Sequence, residues 1–168
     1  MGTREHKHRS PDSVKVALLT VSTTRTIDED ESGRWMAKRA AREGHKVVAH
    51  KVVKDRIEDI RAGLHAVLNS SGAEAVIVSG GTGISPLDVT IEAIEPLFAK
   101  HLTAFGAIFA QLSYEQIDSA ALLSRASAGI IGPAVIFCIP GSLKACKLAC
   151  KALIFPELGH LVGHRLNG

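Results

Sequence analysis

Aromatic residues are scarce in this chain: they make up 4% of its 168 residues, with one tryptophan and one tyrosine. Proteins that bind single-stranded nucleic acid stack the bases on aromatic side chains, so we expect no nucleic-acid partner of that kind. The core must then be built from Val, Ile, Leu and Ala, which dominate the 46% of residues that are hydrophobic.

Long hydrophobic runs are also missing. No apolar stretch approaches the roughly 20 residues that a membrane-spanning helix needs, and the basic N-terminus is not followed by a hydrophobic segment. We therefore expect no membrane partner and no signal peptide. Residues 1–13 are polar and are predicted to form a disordered tail. Residues 14–168 have the length of a single domain.

Cysteine is rare as well. Cys138, Cys146 and Cys150 are an odd number of thiols without the spacing of a metal site. We expect them to be reduced, buried and equivalent to small apolar residues. Reduced thiols predict a cytoplasmic location. The formal net charge of +3 is modest.

The most informative stretch that is present is a glycine cluster, residues 79–83, which follows the apolar run 75–78. Glycines adopt positive φ and let a ligand approach bare N–H groups, and such groups at a strand-to-helix turn bind phosphate. No lysine follows Gly83, which excludes a Walker loop, and the spacing together with Pro86 excludes a dinucleotide fingerprint. A tight turn that only reverses the chain is the alternative interpretation.

Apolar runs and helical patterns alternate along the chain. Strands are predicted at 14–21, 46–53, 74–78, 128–131 and 134–139, and helices at 32–43, 58–68, 90–99, 104–111, 114–123 and 142–153. Ser32 is the expected cap of the first helix, which Gly44 ends. A helix after Pro156 is doubtful because Gly159 and Gly163 lie there. This order predicts an α/β fold, a three-layer αβα sandwich with a mostly parallel sheet and an antiparallel edge hairpin.

Four predicted strand ends carry small or polar residues. They hold Ser22, Asp55, the glycine cluster 79–83 and the segment 140–142. Ligands of open α/β sheets bind beyond the carboxyl ends of the strands, where the strand order switches. We therefore expect these four segments to form one site.

Two aspartates are candidates for catalysis and for a magnesium ion. Mg²⁺ prefers one or two carboxylates together with water and substrate phosphates, which Asp55 and Asp88 can supply. Asp88 can equally be a helix N-cap, since aspartate is a strong capping residue. Asp55 can be an ordinary solvated loop carboxylate.

Hydroxyls and one lysine complete the predicted site. Ser142 opens a helix, where it can bind a phosphate or act only as an N-cap. Lys144 adds a positive charge, and Ser79 and Thr82 can donate hydrogen bonds. The predicted substrate-binding residues are Ser22, Ser79, Gly80, Gly81, Thr82, Gly83, Thr90, Glu92, Pro140, Gly141, Ser142 and Lys144.

Several motifs, in the same order, resemble the MoaB/Mog family of molybdenum cofactor biosynthesis proteins. The resemblance covers about residues 14–156. It includes the glycine cluster with residues 88–90 and 92–93. It also rests on the stretches 19–22, 30–33, 52–55, 105–106, 112–113, 123–126 and 140–145.

The resemblance implies a molybdopterin-binding-like fold and a function in that pathway. Family members bind molybdopterin, a pterin with a dithiolene and a terminal phosphate, and catalytic members adenylylate this phosphate with ATP and Mg²⁺. Aspartates matched by Asp55 and Asp88 are linked to that chemistry. The resemblance also implies three kinds of partner: molybdopterin, other proteins of the pathway, and further copies of the chain in trimers or hexamers.

Three positions depart from the family pattern. Leu87 and Ala110 stand where arginine is usual, and Ala107 stands where glutamate often follows the Phe-Gly pair. A non-catalytic molybdopterin-binding or scaffold protein is therefore the alternative to the adenylyltransferase, and a nucleotide-binding domain unrelated to molybdenum is a more distant one. Ser113 and Arg125 match family positions without an independent physical role.

Overall fold

Six strands form one mixed sheet in the computed structural model, which describes residues 10–167. The strands are β1 (Lys15–Val21), β2 (Lys46–Val53), β3 (Ala75–Ser79), β4 (Lys100–His101), β5 (Ser127–Ile131) and β6 (Ala134–Ile139). Their order across the sheet is β2-β1-β3-β6-β5-β4. The first four strands in this order are parallel, whereas β5 runs antiparallel to both β6 and β4. The predicted parallel sheet with an antiparallel edge is confirmed.

Helices cover both faces of the sheet. They are α1 (Glu31–Arg42), α2 (Ile57–Ser71), α3 (Thr90–Ile94), α4 (Thr103–Ile117), α5 (Leu143–Ala149) and α6 (Phe155–Asn167). One core cluster joins the sheet to α1, α4, α5 and α6, and a second joins it to α2 and α3. None of these helices combines the length and the apolarity needed to cross a bilayer.

The central strands are buried on both faces. Within β1, Val16 and Leu18 belong to one core cluster, and Ala17 and Leu19 to the other. Successive side chains of a strand point to opposite faces, so a strand covered on both sides must be apolar throughout. The unbroken apolar runs in the sequence follow from these three layers.

The strand order reverses between β1 and β3. The chain leaves β1 for β2 on one side and then returns through α2 to β3 on the other side of β1. A crevice forms at the carboxyl ends of the strands where such a reversal occurs. The glycine cluster follows β3 at this point.

The cap of α1 differs from the predicted one. The carboxylate of Asp30 accepts a hydrogen bond of 2.9 Å from the Gly33 amide, whereas the Ser32 hydroxyl donates to the carbonyl of Gly141. Ser32 as the cap is therefore wrong, since the aspartate lies one residue before the helix. Gly44, with a φ of 88°, follows the end of α1 as predicted.

Helix bounds in the middle of the chain also differ. The helix predicted over 90–99 ends at Ile94, and Pro96 lies in a 3₁₀ turn after it. The two helices predicted over 104–123 are one helix, α4, followed by a 3₁₀ segment over Asp118–Leu123. The two-residue strand β4 was missed because it is too short to show alternation.

The C-terminal helix extends beyond the predicted end at residue 153, and the doubt about a helix after Pro156 is wrong, because α6 continues through Gly159 and Gly163 to Asn167. A π-helical stretch, Cys150–Ile154, ends two residues before Pro156, so the regular backbone ladder is already interrupted close to the point where the proline lacks its N–H. Gly159 allows close contact with the N-terminal segment, because a Cβ there would lie 2.6 Å from the Pro11 carbonyl oxygen. Residues 1–9 of the predicted tail lie outside the described residues.

The three cysteines are free and buried. Burial raises the pKa of the Cys146 thiol to about 12. The prediction of reduced thiols that behave as small apolar residues is confirmed.

Candidate functional site

A cleft of about 750 Å³ opens at the carboxyl ends of β1, β2, β3 and β6. Predicted site residues that line it are Ser22, Asp55, Ser79, Gly80, Gly81, Asp88 and Gly141. They come from all four predicted strand ends, which are separated along the chain. The structure therefore brings together the segments that the strand-end rule selects.

Two glycines of the cluster have backbone conformations that side chains rarely allow. Gly80 has a φ of 99° and Gly81 a φ of 63°. A Cβ on Gly80 would lie 2.3 Å from the carbonyl oxygen of Val21, and one on Gly81 would lie 2.5 Å from the Thr90 hydroxyl. The loop can take this path beside β1 only with glycine at both positions.

Four successive carbonyls of this loop are held from one side. Thr90 donates its hydroxyl to the carbonyl of Gly80 at 2.7 Å and its amide to that of Gly81 at 2.9 Å. Arg125 Nε donates to the carbonyls of Thr82 and Gly83 at 3.0 and 3.1 Å. These two residues fix the orientation of four peptide groups.

The amides of the same peptide groups are left for a ligand. In a planar trans peptide the N–H points away from the preceding C=O. Among residues 10–167, the amides of Gly81, Thr82, Gly83 and Ile84 have no hydrogen-bond acceptor. Successive unpaired amides form a concavity that binds anions, so the loop has the groups that a phosphate needs. Of these four residues, Gly81 lines the cleft and the other three lie outside its lining.

Asp55 and Asp88 each use one carboxylate oxygen within the protein. Asp55 Oδ2 accepts from the Thr23 hydroxyl at 2.7 Å, and Asp88 Oδ2 accepts from the Ser85 amide at 2.9 Å. In the described part of the chain, Oδ1 of each has no hydrogen-bond donor. Because Asp88 bonds to its own turn and α3 has no side-chain cap, the alternative interpretation of Asp88 as an N-cap is wrong.

Other predicted residues lie behind or beside the cleft. Those absent from its lining are Thr82, Gly83, Thr90, Glu92, Pro140, Ser142 and Lys144. Thr90 supports the loop from behind, and Glu92 binds the guanidinium of Arg125 at 2.6 Å. Ser142 caps α5 by accepting from the Ala145 amide, and with Lys144 it lines a separate cavity of about 130 Å³. The Thr82 hydroxyl is buried without a partner in residues 10–167.

Sequence reasoning missed the cations of the cleft, namely Arg25, Lys54 and Arg56. Arg56 is held by Asp59 at 2.6 Å, whereas Arg25 and Lys54 form no ion pair with another described residue. Both also line an adjoining groove of about 530 Å³. Their position beside Ser22 and Asp55 in the sequence was the signal that could have found them.

A buried carboxylate lies beneath one wall of the cleft. Asp30 is fully buried and accepts from the Thr20 hydroxyl at 2.6 Å, and His50 Nε2 lies 2.7 Å from it. Burial alone would raise the pKa of Asp30, but hydrogen bonds from His50, Thr20 and the Gly33 amide lower that pKa to about 2. Asp30 thus joins β1, β2 and α1 below the loop that carries Arg25.

A family model for probable molybdopterin-binding domains matches residues 17–160. A relative from Bacillus subtilis, molybdenum cofactor biosynthesis protein B, is 47% identical over 163 residues, which cover 96% of each chain. The chain belongs to the MoaB family. A relative of the same name from Escherichia coli K12 is 40% identical over 86% of this chain and 85% of its own.

Solved MoaB structures share the fold. A crystal structure of molybdenum cofactor biosynthesis protein B has a TM-score of 0.91 at 41% identity and covers 95% of this chain and 99% of its own. The tungsten cofactor synthesizing protein MoaB from Pyrococcus furiosus has a TM-score of 0.84 at 35% identity, with 93% and 99% covered. The MoaB-like fold implied by the sequence motifs is confirmed.

Proposed function

We propose that this protein binds molybdopterin and adenylylates its terminal phosphate with ATP. The observation that carries the proposal is the composition of one cleft. It combines the glycine loop, whose Gly81 lines the cleft with an amide unpaired in the described residues, with two carboxylates that each keep one oxygen free of described donors. Two cations without described ion-pair partners, Arg25 and Lys54, also line it.

The two aspartates match the donor set of a magnesium site. Residues 10–167 contain no group of three or more His, Cys, Asp or Glu side chains that could enclose a metal. Mg²⁺ commonly takes one or two carboxylates and completes its shell with water and substrate phosphates. Asp55 and Asp88 would hold it through Oδ1, and when bound it would supply charge neutralisation for the phosphates of ATP.

The reaction joins two anions. An oxygen of the terminal phosphate of molybdopterin attacks the α-phosphorus of ATP, a new phosphoanhydride bond forms, and the bond to the β-phosphate breaks to release pyrophosphate. The loop amides would hold phosphate oxygens, while Arg25 and Lys54 reduce the repulsion between the two substrates. Thr90 and Arg125 already fix the peptide groups of the loop, so little reorganisation of the loop is needed.

A binding protein without catalysis is the second candidate, and Leu87 favours it. Leu87 lines the cleft and is exposed, so a cation usual in the family is replaced there by an apolar side chain. Ala107 and Ala110 are exposed on α4 and are not among the residues that line the cleft. Only one of the three departures therefore touches the proposed substrates.

Turnover distinguishes the two functions. The purified protein is incubated with molybdopterin, ATP and Mg²⁺, and pyrophosphate and adenylylated molybdopterin are measured. We expect product in amounts well above those of an Asp88→Ala variant. Molybdopterin affinity without nucleotide turnover would instead establish the binding protein, and density for a nucleotide alone would point to a function unrelated to molybdenum.

We also propose that copies of the chain assemble into trimers or hexamers that act with other proteins of the pathway in the cytoplasm. Large apolar side chains are exposed on α4 and the 3₁₀ segment after it: Ile108, Tyr114, Ile117, Leu122 and Leu123. A surface with several such side chains is typical of a protein interface. Light scattering coupled to size-exclusion chromatography tests the assembly, and Leu122→Asp should reduce its mass.

A further inference from the structure

Arg125 lies behind the glycine loop, on the side opposite the unpaired amides. Its Nε donates to the carbonyls of Thr82 and Gly83, and its Nη2 lies 3.4 Å from the carbonyl oxygen of Asp88. The guanidinium also binds both carboxylate oxygens of Glu92, at 2.6 and 3.2 Å. One side chain therefore contacts the loop, the turn that carries Asp88, and α3.

We propose that Arg125 is a positioning residue that sets the direction of the loop amides toward a bound phosphate. The carbonyls of Thr82 and Gly83 point at its Nε, so the amides of Gly83 and Ile84 point the other way. Neither residue lines the cleft, but Asp88, which does, lies beside Gly83, where an added Cβ would be 2.7 Å from Asp88 Oδ2. Without Arg125 these peptide groups are free to rotate, because no other described side chain holds their carbonyls. The inference rests on the proposed function only in assigning the anion to a nucleotide.

Glu92 explains how Arg125 keeps its own orientation. Its carboxylate holds the guanidinium in two-point contact, which fixes the plane of the donors. Glu92 raises the pKa of Arg125, and Arg125 lowers that of Glu92. Both side chains are partly exposed, so the pair contributes little to folding stability. The ion pair instead fixes the orientation of the Arg125 guanidinium.

Lysine cannot replace arginine in this role. An ammonium group is a point charge, whereas the guanidinium presents donors in a fixed fork. Arg125 uses that fork to reach Thr82, Gly83 and Glu92 at the same time. A role in positioning therefore predicts that Arg125→Lys fails, while a role through charge alone predicts that it succeeds.

The chain provides a matched control. Arg61 Nε donates to the carbonyl of Ala93 at 2.8 Å, so it also holds a backbone carbonyl of α3 from a neighbouring element. It does not contact the glycine loop and does not line the cleft. Arg61→Ala removes the same kind of bond without releasing the loop amides.

The experiment measures binding of inorganic tripolyphosphate, with magnesium present, by calorimetry well below the melting temperature of each variant. We expect Arg125→Ala to weaken the binding of tripolyphosphate at least tenfold. Arg125→Lys should bind it less than threefold more tightly than Arg125→Ala does. Arg61→Ala should stay within twofold of the wild type. Added methylguanidinium should partly restore Arg125→Ala. Full recovery by lysine, unchanged affinity in Arg125→Ala, or no binding by the wild type would overturn the inference.

Turnover of molybdopterin and ATP by the wild type, measured in parallel, separates this inference from the proposed function. If the wild type forms no product but the Arg125 variants bind tripolyphosphate more weakly as expected, the proposed function is wrong and the positioning role stands. If the wild type forms product and Arg125→Ala binds the probe normally, only the positioning role is wrong.

Discussion

The two walls of the cleft satisfy their polar groups in opposite ways. Below the wall formed by β1 and β2, the buried carboxylate of Asp30 is surrounded by donors from Thr20, His50 and the Gly33 amide. On the wall after β3, the glycine loop has its carbonyls bonded but leaves four successive amides without an acceptor in residues 10–167. The saturated carboxylate of Asp30 holds β1, β2 and α1 together below the cleft, whereas the glycine loop keeps amides that a ligand could use.

The largest effect should come from a carboxylate at the cleft rather than from one below it. Asp55→Asn keeps an oxygen for the Thr23 hydroxyl but removes the charge that would hold Mg²⁺. We expect turnover to fall about 1,000-fold with the melting temperature nearly unchanged. Product formation under saturating substrates is the measurement.

Glu58→Gln is the control for Asp55→Asn, because it also removes a carboxylate near the end of β2 but lies outside the cleft lining. It should retain wild-type turnover. Equal losses in the two variants would mean that Asp55 acts only through the net charge of the region.

The second prediction tests whether the glycine loop needs its unusual backbone. Gly80→Ala places a Cβ against the Val21 carbonyl at a φ of 99°, and we expect it to reduce the free energy of unfolding by about 3 kcal/mol. Urea denaturation measures this. Gly72→Ala is the matched variant, since Gly72 also has a positive φ but no atom within 4 Å of the added Cβ. It should cost only about 1 kcal/mol, and equal costs would mean that close approach to β1 is unimportant.

The third prediction addresses the buried carboxylate below the cleft. The pKa of Asp30 is lowered from 3.8 to about 2 on folding, which corresponds to about 2 kcal/mol of stability. Because the pKa is lowered, this contribution is present above about pH 4 and is lost as the pH falls toward 2. Asp30→Asn should lose it at all pH values, so the difference between variant and wild type should shrink as the pH falls toward 2.

Denaturant titrations of wild type and Asp30→Asn at pH 7, 4 and 2.5 measure that difference. A constant difference down to the lowest pH would contradict the assigned hydrogen bonds. The affinity for tripolyphosphate should change less than in the Arg125 variants, since Asp30 holds the wall from below and lies outside the cleft lining.

The sequence predicted the site as far as backbone topology decides it. Apolar runs define β1, β3 and β6, and parallel strands place their carboxyl ends together, so Ser22, Asp55 and the glycine cluster converge without knowledge of any side-chain contact. The position of Arg125 was not predictable in this way. It lies 42 residues beyond Gly83, before an antiparallel strand, and only the packing of that hairpin brings the two together.

Side-chain contacts also decide between residues that are close together in the sequence, and these contacts cannot be predicted from residue type. Ser32 and Asp30 are both good helix caps by residue type, and only the buried position of Asp30 beside His50 decides between them. Thr90 and Glu92 were predicted as substrate ligands because they belong to the glycine-loop motif. In the structure Thr90 bonds to a carbonyl of the loop and Glu92 bonds to Arg125. A motif marks residues that a loop requires, and it does not separate those that touch the ligand from those that hold the loop.

The smallest effect concerns Leu87, an apolar side chain at the rim of the cleft. Leu87 lines the cleft and Ile84 does not, although both lie in the same turn and are 71% and 68% exposed. A cation at 87 would approach a bound anion through water, which is worth about 1 kcal/mol. We therefore expect Leu87→Arg to bind tripolyphosphate about fivefold more tightly, with the gain lost in high salt, and Ile84→Arg to gain less than twofold. If the two arginines acted equally, the gain would come from net charge, and the cleft would have no directional preference at its rim.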